Sequence, residues 1–321
     1  MIKVFFFLLL IIPVIISGQG SFAPGAGQPG TSAIHKDSSV FVGWATNCTT
    51  SRGPQNIAIS GSPVTTLGDD YMATGMSGAN GTVTLGDGGE AILTFDYPII
   101  NGAGWDFAVF ENSFDGLFLE LAYVEVSSDG VNYFRFPSTS EVQDTIQTAS
   151  YGNTDPTMIN NLAGKYKAGY GTPFDLEELS GTPGLNVDSV THVKVIDVIG
   201  TIDEAFASYD QYGNKINDPY PTDFAAGGFD LDAVGVIHQD LAASARTHDI
   251  SFVIYPSVVE DQLNISCTSQ KLGSIMIFSL DGRIILSQDV LAPNKTIQLS
   301  HLGSGSYIVR TQFGSAQFFK R

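Results

Sequence analysis

The chain has 321 residues, with 15 Lys and Arg against 33 Asp and Glu, a formal net charge of −18. That balance argues against nucleic acid and anionic membranes as partners, because both would repel it. Hydrophobic residues make up 43%, charged residues only 15%, and there are 35 Gly and 21 Phe, a composition that suits a β-rich fold of about two domains.

Met1-Ile2-Lys3, the apolar run from Val4 to Ile16 and the small pair Ser17-Gly18 read as a signal peptide over residues 1–18. The apolar run falls short of the ~20 residues that a membrane-spanning helix needs. No Cys stands at the expected cleavage point, which argues against a lipoprotein anchor. Residues 19–240 then show short strands punctuated by turns, expected at 91–95, 105–110, 121–128, 131–136, 190–198 and 229–237. Gly86-Asp87-Gly88-Gly89 precedes a strand, so it reads as a turn and not as the phosphate cradle that opens a helix. Asp129-Gly130 lies between two alternating runs and predicts a hairpin. The stretch 140–186 is long, polar and Gly-containing, an expected excursion from the sheets. Inside it, Asp175 is the expected N-cap of one helical turn, with Glu178 answering it.

Residues 241–252 are small and polar and read as a linker. Residues 251–321 hold six Lys and Arg against four Asp and Glu, whereas the rest holds nine against 29. Short alternating runs over 253–321 predict a second, small Ig-like β-sandwich. The expected fold is therefore all-β: a jelly-roll or galactose-binding-like sandwich over 19–240, then the smaller sandwich over 253–321. Cys48 and Cys267 fall in different domains and are expected to be separate thiols.

Carboxylates are the main candidates for chemistry. Asp106 shares a strand face with Ala108 and Phe110, and Glu111 ends that strand. Asp197 follows the phase of Val193 and Val195. Strict alternation places Asp230 and Asp232 with Val234 and Val236, opposite Phe229, Leu231, Ala233 and Gly235. A carboxylate buried among valines costs several kcal/mol unless it finds water, a cation, backbone N–H groups or a metal. Asp106, Glu111, Asp230 and Asp232 are accordingly candidate ligands for Ca²⁺, which takes 6–8 oxygens. The competing reading is structural, with the carboxylates pinning neighbouring turns by hydrogen bonds. Residues 210–218 form an acidic loop without EF-hand spacing, expected to lie against the Asp230 strand.

Trp105, Tyr151, Tyr166 and Tyr170 are candidate ligand contacts, able to stack on a sugar or a corrin, with loop anchoring as the alternative. Among five His there is no HExxH, and no GxSxG elbow occurs. No organic cofactor is indicated.

Two resemblances extend this reading. YPSVVEDQLNI, IMIFSLDGRII, LSHLGSGSYIVR and QFFKR resemble the C-terminal sorting domain of type IX secretion cargo, although Tyr255-Pro256-Ser257-Val258 replaces the family's Tyr-Pro-Asn-Pro. The resemblance implies delivery across the outer membrane by the type IX secretion machinery, with release or attachment at the cell surface. AGQPGTSAIHKDSSVFVGWAT, LGDGGEAILTF, GWDFAVFENSF, ELAYVEVSSDGVNYFRF and GGFDLDAVGVI resemble exported bacterial surface proteins, some of which accompany outer-membrane cobalamin receptors. VEVSSDGVNY also resembles jelly-roll modules of the galactose-binding type. Together these imply a surface ligand-binding protein whose ligand is a corrinoid or a glycan. An extracellular polysaccharide hydrolase, using paired carboxylates, and a structural or adhesive surface protein are the alternatives.

Overall fold

A computed structural model describes residues 20–240, 252–267, 272–279, 283–311 and 314–321. The expected signal peptide at 1–18, and residues 241–251 of the expected linker, lie outside the described residues. The chain divides at residues 241–242 into two compact units. Among the described residues no helix is long and apolar enough to cross a membrane. The protein is all-β, built of mainly antiparallel sheets with a few short 3₁₀ turns.

In the first unit, one sheet contains β1 (Ile34–His35), β2 (Gly43–Trp44), β4 (Val83–Thr84), β6 (Phe107–Glu111), β11 (Tyr170–Phe174) and β13 (Asp230–Val236). Its order is β1-β11-β6-β13-β2, and β4 also pairs with β13. The second sheet contains β3 (Asn47–Ser51), β5 (Glu90–Ile99), β7 (Ala122–Ser127), β8 (Phe134–Arg135) and β12 (Val190–Asp197), in the order β3-β5-β12-β7-β8. A small ladder of β9 (Thr139–Ser140) and β10 (Ile159–Asn160) stands outside both. The sheets share one core: Phe107 and Val109 on β6 and Leu231 and Val234 on β13 are buried with Leu93, Val124, Val126, Val193 and Val195. Phe107, Phe136 and Phe174 form a ring cluster inside it, with Phe107 stacked on Phe174 at 5.4 Å.

Three local expectations change. Strand β13 carries a register shift between Leu231 and Ala233. The bulge moves the side-chain phase by one residue. Phe229, Leu231, Val234 and Val236 therefore all enter the inter-sheet core, whereas Ala233 turns to the opposite face beside Phe110, Phe41 and Trp44. The two aspartates thus do not share a face with Val234 and Val236. Second, the excursion at 140–186 contains β11, a full member of the first sheet. Gly171 and Pro173 weaken its strand signal, and Gly171 is needed because a Cβ there would lie 2.8 Å from the Phe110 ring. Third, Asp175 does cap its 3₁₀ turn, accepting from the Glu177 N–H at 2.9 Å, but Glu178 accepts from Asn161 Nδ2 and does not return to the cap.

The hairpin after β7 forms as expected. Gly130 has φ +73°, and the Asp129 carboxylate accepts from the Val131 and Asn132 N–H groups, each at 2.8 Å. These amide bonds hold its pKa well below the usual carboxylate range.

The second unit contains β14 (Phe252–Tyr255), β15 (Val258–Val259), β16 (Gln262–Cys267), β17 (Gly273–Ser279), β18 (Ile284–Val290), β19 (Asn294–Gln298), β20 (Gly305–Thr311) and β21 (Gly314–Lys320). One sheet runs β14-β16-β19 and the other β15-β21-β20-β17-β18. Alternate residues Leu263, Ile265, Ile275, Ile277, Val309 and Phe318 build its separate core.

Gly228 has φ +76°, and a Cβ there would sit 2.6 Å from Asp197 Oδ1. Gly228→Ala combines left-handed strain with that clash, so it is expected to lower stability by about 1–3 kcal/mol. Denaturant unfolding measures this; an unchanged midpoint would contradict the assignment.

Candidate functional site

The inner faces of the two sheets are apolar along most of their length and acidic at one end. On β6 the inward phase runs Phe107, Val109, Glu111. On β12 it runs Val193, Val195, Asp197. The inward phase of β7, Ala122, Val124 and Val126, extends back by two residues to Glu120. Antiparallel pairing brings these ends together, because Asp197 is the cross-strand partner of Ala122, and Glu111 lies opposite Leu231 beside Asp230. Asp218 joins them from the acidic loop by accepting the Leu121 N–H at 2.9 Å. Glu111, Glu120, Asp197, Asp218 and Asp230 are all buried.

Their partners differ. Asp197 is well held, accepting from the Gly88 N–H at 2.9 Å and the Phe229 N–H at 2.7 Å. Asp230 accepts from Thr84 Oγ1 and from Asn112 Nδ2. Asp218 Oδ1 has no hydrogen-bond partner, and the Glu111 carboxylate draws on the Asn112 and Ser113 N–H groups of the turn that follows it. Burial is the largest cause that raises the pKa of Glu111, Glu120, Asp218 and Asp230. Repulsion adds to it for Glu120, where Glu111 is the strongest neighbouring charge. Among the described residues no Lys or Arg forms an ion pair with any of them. None of the metal-holding groups of three or more His, Cys, Asp or Glu is found among the described residues.

The other two expected metal ligands lie elsewhere. Asp106 accepts from the Gly102 N–H, the Leu176 N–H and His238 Nδ1, each at 2.7 Å. Asp232 accepts from Ser77 Oγ at 2.6 Å and the Gly78 N–H at 2.9 Å. Each is the hub of its own tether, so the four expected ligands do not form one centre. Most of the acidic loop is also self-contained: Asp210 accepts from the Ser140, Tyr212 and Asn214 N–H groups. Only Asp218 reaches the carboxylate layer.

The segment between Glu111 and Glu120 carries aromatic rings. Phe114 stacks on Phe118 with ring centroids 4.9 Å apart, Phe118 on Tyr151 at 6.1 Å, and Tyr151 on Phe224 at 5.6 Å. Interplanar angles of 19°, 30° and 26° keep the rings nearly parallel. Phe114 is 72% exposed, Tyr151 68% and Phe224 37%. Three loops thus supply one surface row, of which Tyr151 alone was a candidate from sequence. Phe114, Phe118 and Phe224 are spaced irregularly in turns, so no periodicity marks them.

The remaining aromatic candidates separate. Tyr166 is buried, its hydroxyl 2.7 Å from Ser32 Oγ, and anchors its loop; it offers no face to a surface ligand. Tyr170 packs edge-on against His35 at 4.9 Å. Trp105 lines a different, open cavity of about 690 Å³ with Ile34, Val40, Ile237 and His238.

Residues 253–321 match the family model of the secretion system C-terminal sorting domain. The protein is secreted or attached to the cell surface, and its C-terminal unit is a type IX secretion sorting domain. No curated protein sequence matches the chain. Solved structures with partial likeness include a Faecalibacterium prausnitzii beta-glucuronidase, at 14% identity and TM-score 0.20 over 87% of this chain and 45% of that one. The BSP domain of a biofilm associated protein aligns at 11% identity and TM-score 0.20, over 72% of this chain and 48% of that one. A beta-1,2-glucanase from Parabacteroides distasonis aligns at 14% identity and TM-score 0.25, over 90% of this chain and 38% of that one. The chain thus spans less than half the length of each.

Asp87 ties the turn before β5 to the loop that carries Phe224, accepting from the Ile57 N–H at 2.8 Å and from Thr222 Oγ1 at 3.3 Å. Burial raises its pKa from 3.8 to about 6. A raised carboxylate supports folding most at low pH and loses that support as pH climbs through its folded-state pKa. Relative to wild type, Asp87→Asn should therefore gain stability between pH 4 and pH 7, by up to ~3 kcal/mol. Urea unfolding of both proteins across that range checks the sign; a difference that is flat with pH would contradict it.

Proposed function

We propose that the first unit is a ligand-binding module displayed outside the cell, and that the row Phe114–Phe118–Tyr151–Phe224 is its contact surface. The carrying observation is the exposure of three nearly parallel stacked rings from separate loops. Solvent-exposed aromatic area of this kind is costly to leave bare and is commonly a binding surface. A pyranose presents a face of C–H groups rimmed by hydroxyls, and a row of rings suits several such faces in succession. The acidic composition of this part of the chain, nine Lys and Arg against 29 Asp and Glu outside residues 251–321, disfavours polyanions. A neutral glycan is therefore the preferred ligand. Binding is preferred to hydrolysis because the carboxylates flanking this loop, Glu111 and Glu120, are buried and do not face one another across open solvent, as a glycosidase pair must.

A screen of the mature chain against neutral and acidic glycans, with cobalamin included, tests the ligand. Neutral glycans should bind, and Phe114→Ala or Tyr151→Ala should each weaken binding about tenfold, in line with the loss of one aromatic contact. Cobalamin binding without glycan binding would replace the ligand class, and unchanged affinity in both variants would overturn the site. Export has its own test: a chain lacking residues 253–321 should accumulate in the periplasm, and normal surface display of that truncation would contradict the role of the sorting domain.

A further inference from the structure

Strand β13 ends beside a cavity that the ring row does not use. The cavity measures about 690 Å³ and is walled by Ile34, Val40, Trp105 and Ile237, with His35, Ser38 and His238 as its polar side chains. Small-molecule sites commonly have volumes of about 300–1,000 Å³ and mostly apolar walls. Trp105 and Val40 are each 43% exposed, so two of the apolar walls are left bare. Trp105 stands just before β6 and Phe114 just after it, so the cavity and the ring row lie beyond opposite ends of one strand.

His238 is firmly held in this cavity. Its Nδ1 lies 2.7 Å from Asp106 Oδ1. Asp106 is fully buried and also accepts from the Gly102 and Leu176 N–H groups. A carboxylate can only accept, so Nδ1 carries the hydrogen. The nitrogen left for a ligand is Nε2, a lone-pair acceptor in the neutral ring. Backbone confines the imidazole as well: a Cβ on Gly102 would lie 2.2 Å from Nδ1, and the His238 N–H donates to the Asp106 carbonyl at 3.2 Å. His35 has the opposite polarity. Its Nδ1 accepts from the Asp37 N–H at 3.2 Å, which leaves Nε2–H as a donor.

These features define a ligand. Trp105 and the aliphatic walls suit a planar, apolar body. His238 suits a hydroxyl that donates. Three polar side chains are too few for a sugar, whose other hydroxyls would lose water without gaining partners. Among the described residues no Lys or Arg lines the cavity, so an anionic ligand would lack a countercharge. We propose that this cavity binds a hydroxylated aromatic compound, with its rings against Trp105 and its hydroxyl donated to His238 Nε2. Asp106 is a positioning residue, fixing which nitrogen the ligand meets. The site stands whatever ligand the ring row binds.

Isothermal titration of 2-naphthol and of its methyl ether into the mature chain tests the site, with thermal unfolding in parallel. One 2-naphthol should bind per chain, and the ether, which has no hydrogen to donate, should bind about tenfold more weakly. Trp105→Ala should weaken 2-naphthol about tenfold. In His238→Asn the amide nitrogen can replace Nδ1 on Asp106 while Nε2 is lost, so the preference for 2-naphthol over the ether should disappear. Should that variant fold poorly, Val40→Trp puts bulk into the cavity from an exposed wall and should abolish binding at an unchanged melting temperature. No heat with 2-naphthol would overturn the proposal, as would equal affinity for both compounds in wild type. Loss in Phe114→Ala with wild-type affinity in Trp105→Ala would place the compound on the ring row and overturn it too. Binding of methyl glucoside that Trp105→Ala removes would make the cavity a sugar site, against the proposal.

Discussion

The inward phases of β6 and β12, and the phase of β7 carried back to Glu120, begin in Val and Phe and finish in carboxylates, all at one end of the sandwich. Most features of the first unit depend on how those acids are satisfied. Asp197 takes two backbone N–H groups from opposite sides and so ties the turn before β5 to the start of β13. Gly228 is compatible with that tie because it has no Cβ and can hold a positive φ. Glu111 draws on the Asn112 and Ser113 N–H groups of its own turn, and its position at the start of the ring-bearing loop sets a buried carboxylate next to the surface proposed for binding.

Elsewhere the same residue type serves as a hub. Asp106, Asp210 and Asp232 each collect donors from loops remote in sequence or from their own turn. A carboxylate suits this role because two oxygens accept several amides at once, and charge-assisted bonds are stronger than neutral ones. Loops anchored in this way can present side chains at defined spacing, which is what a row of rings with centroids 4.9 to 6.1 Å apart requires.

The second unit follows other rules. Its core comes from simple alternation on long strands, and among its described carboxylates none is buried. Its blocks were legible in the sequence because each lies on a strand of that alternating pattern.

By itself, the sequence determined the class of the fold, the strongest strands, the hairpin at Asp129-Gly130 and the export signal, because each rests on local patterning over a few residues. It also pointed to Glu111 and Asp230 as carboxylates in need of an explanation, and to Tyr151 as a surface aromatic. Tertiary structure alone decided the rest. A bulge after Leu231 reversed the face of everything downstream in β13, and a bulge has no signature in alternation. Glu120 and Asp218 entered the carboxylate layer only because distant strands end at the same level. Phe114, Phe118, Tyr151 and Phe224 became one row only because three loops meet there. Strand phase is a local property, legible along the chain, whereas the meeting of strand ends and loops depends on pairing between residues about a hundred positions apart, which no short stretch of sequence encodes.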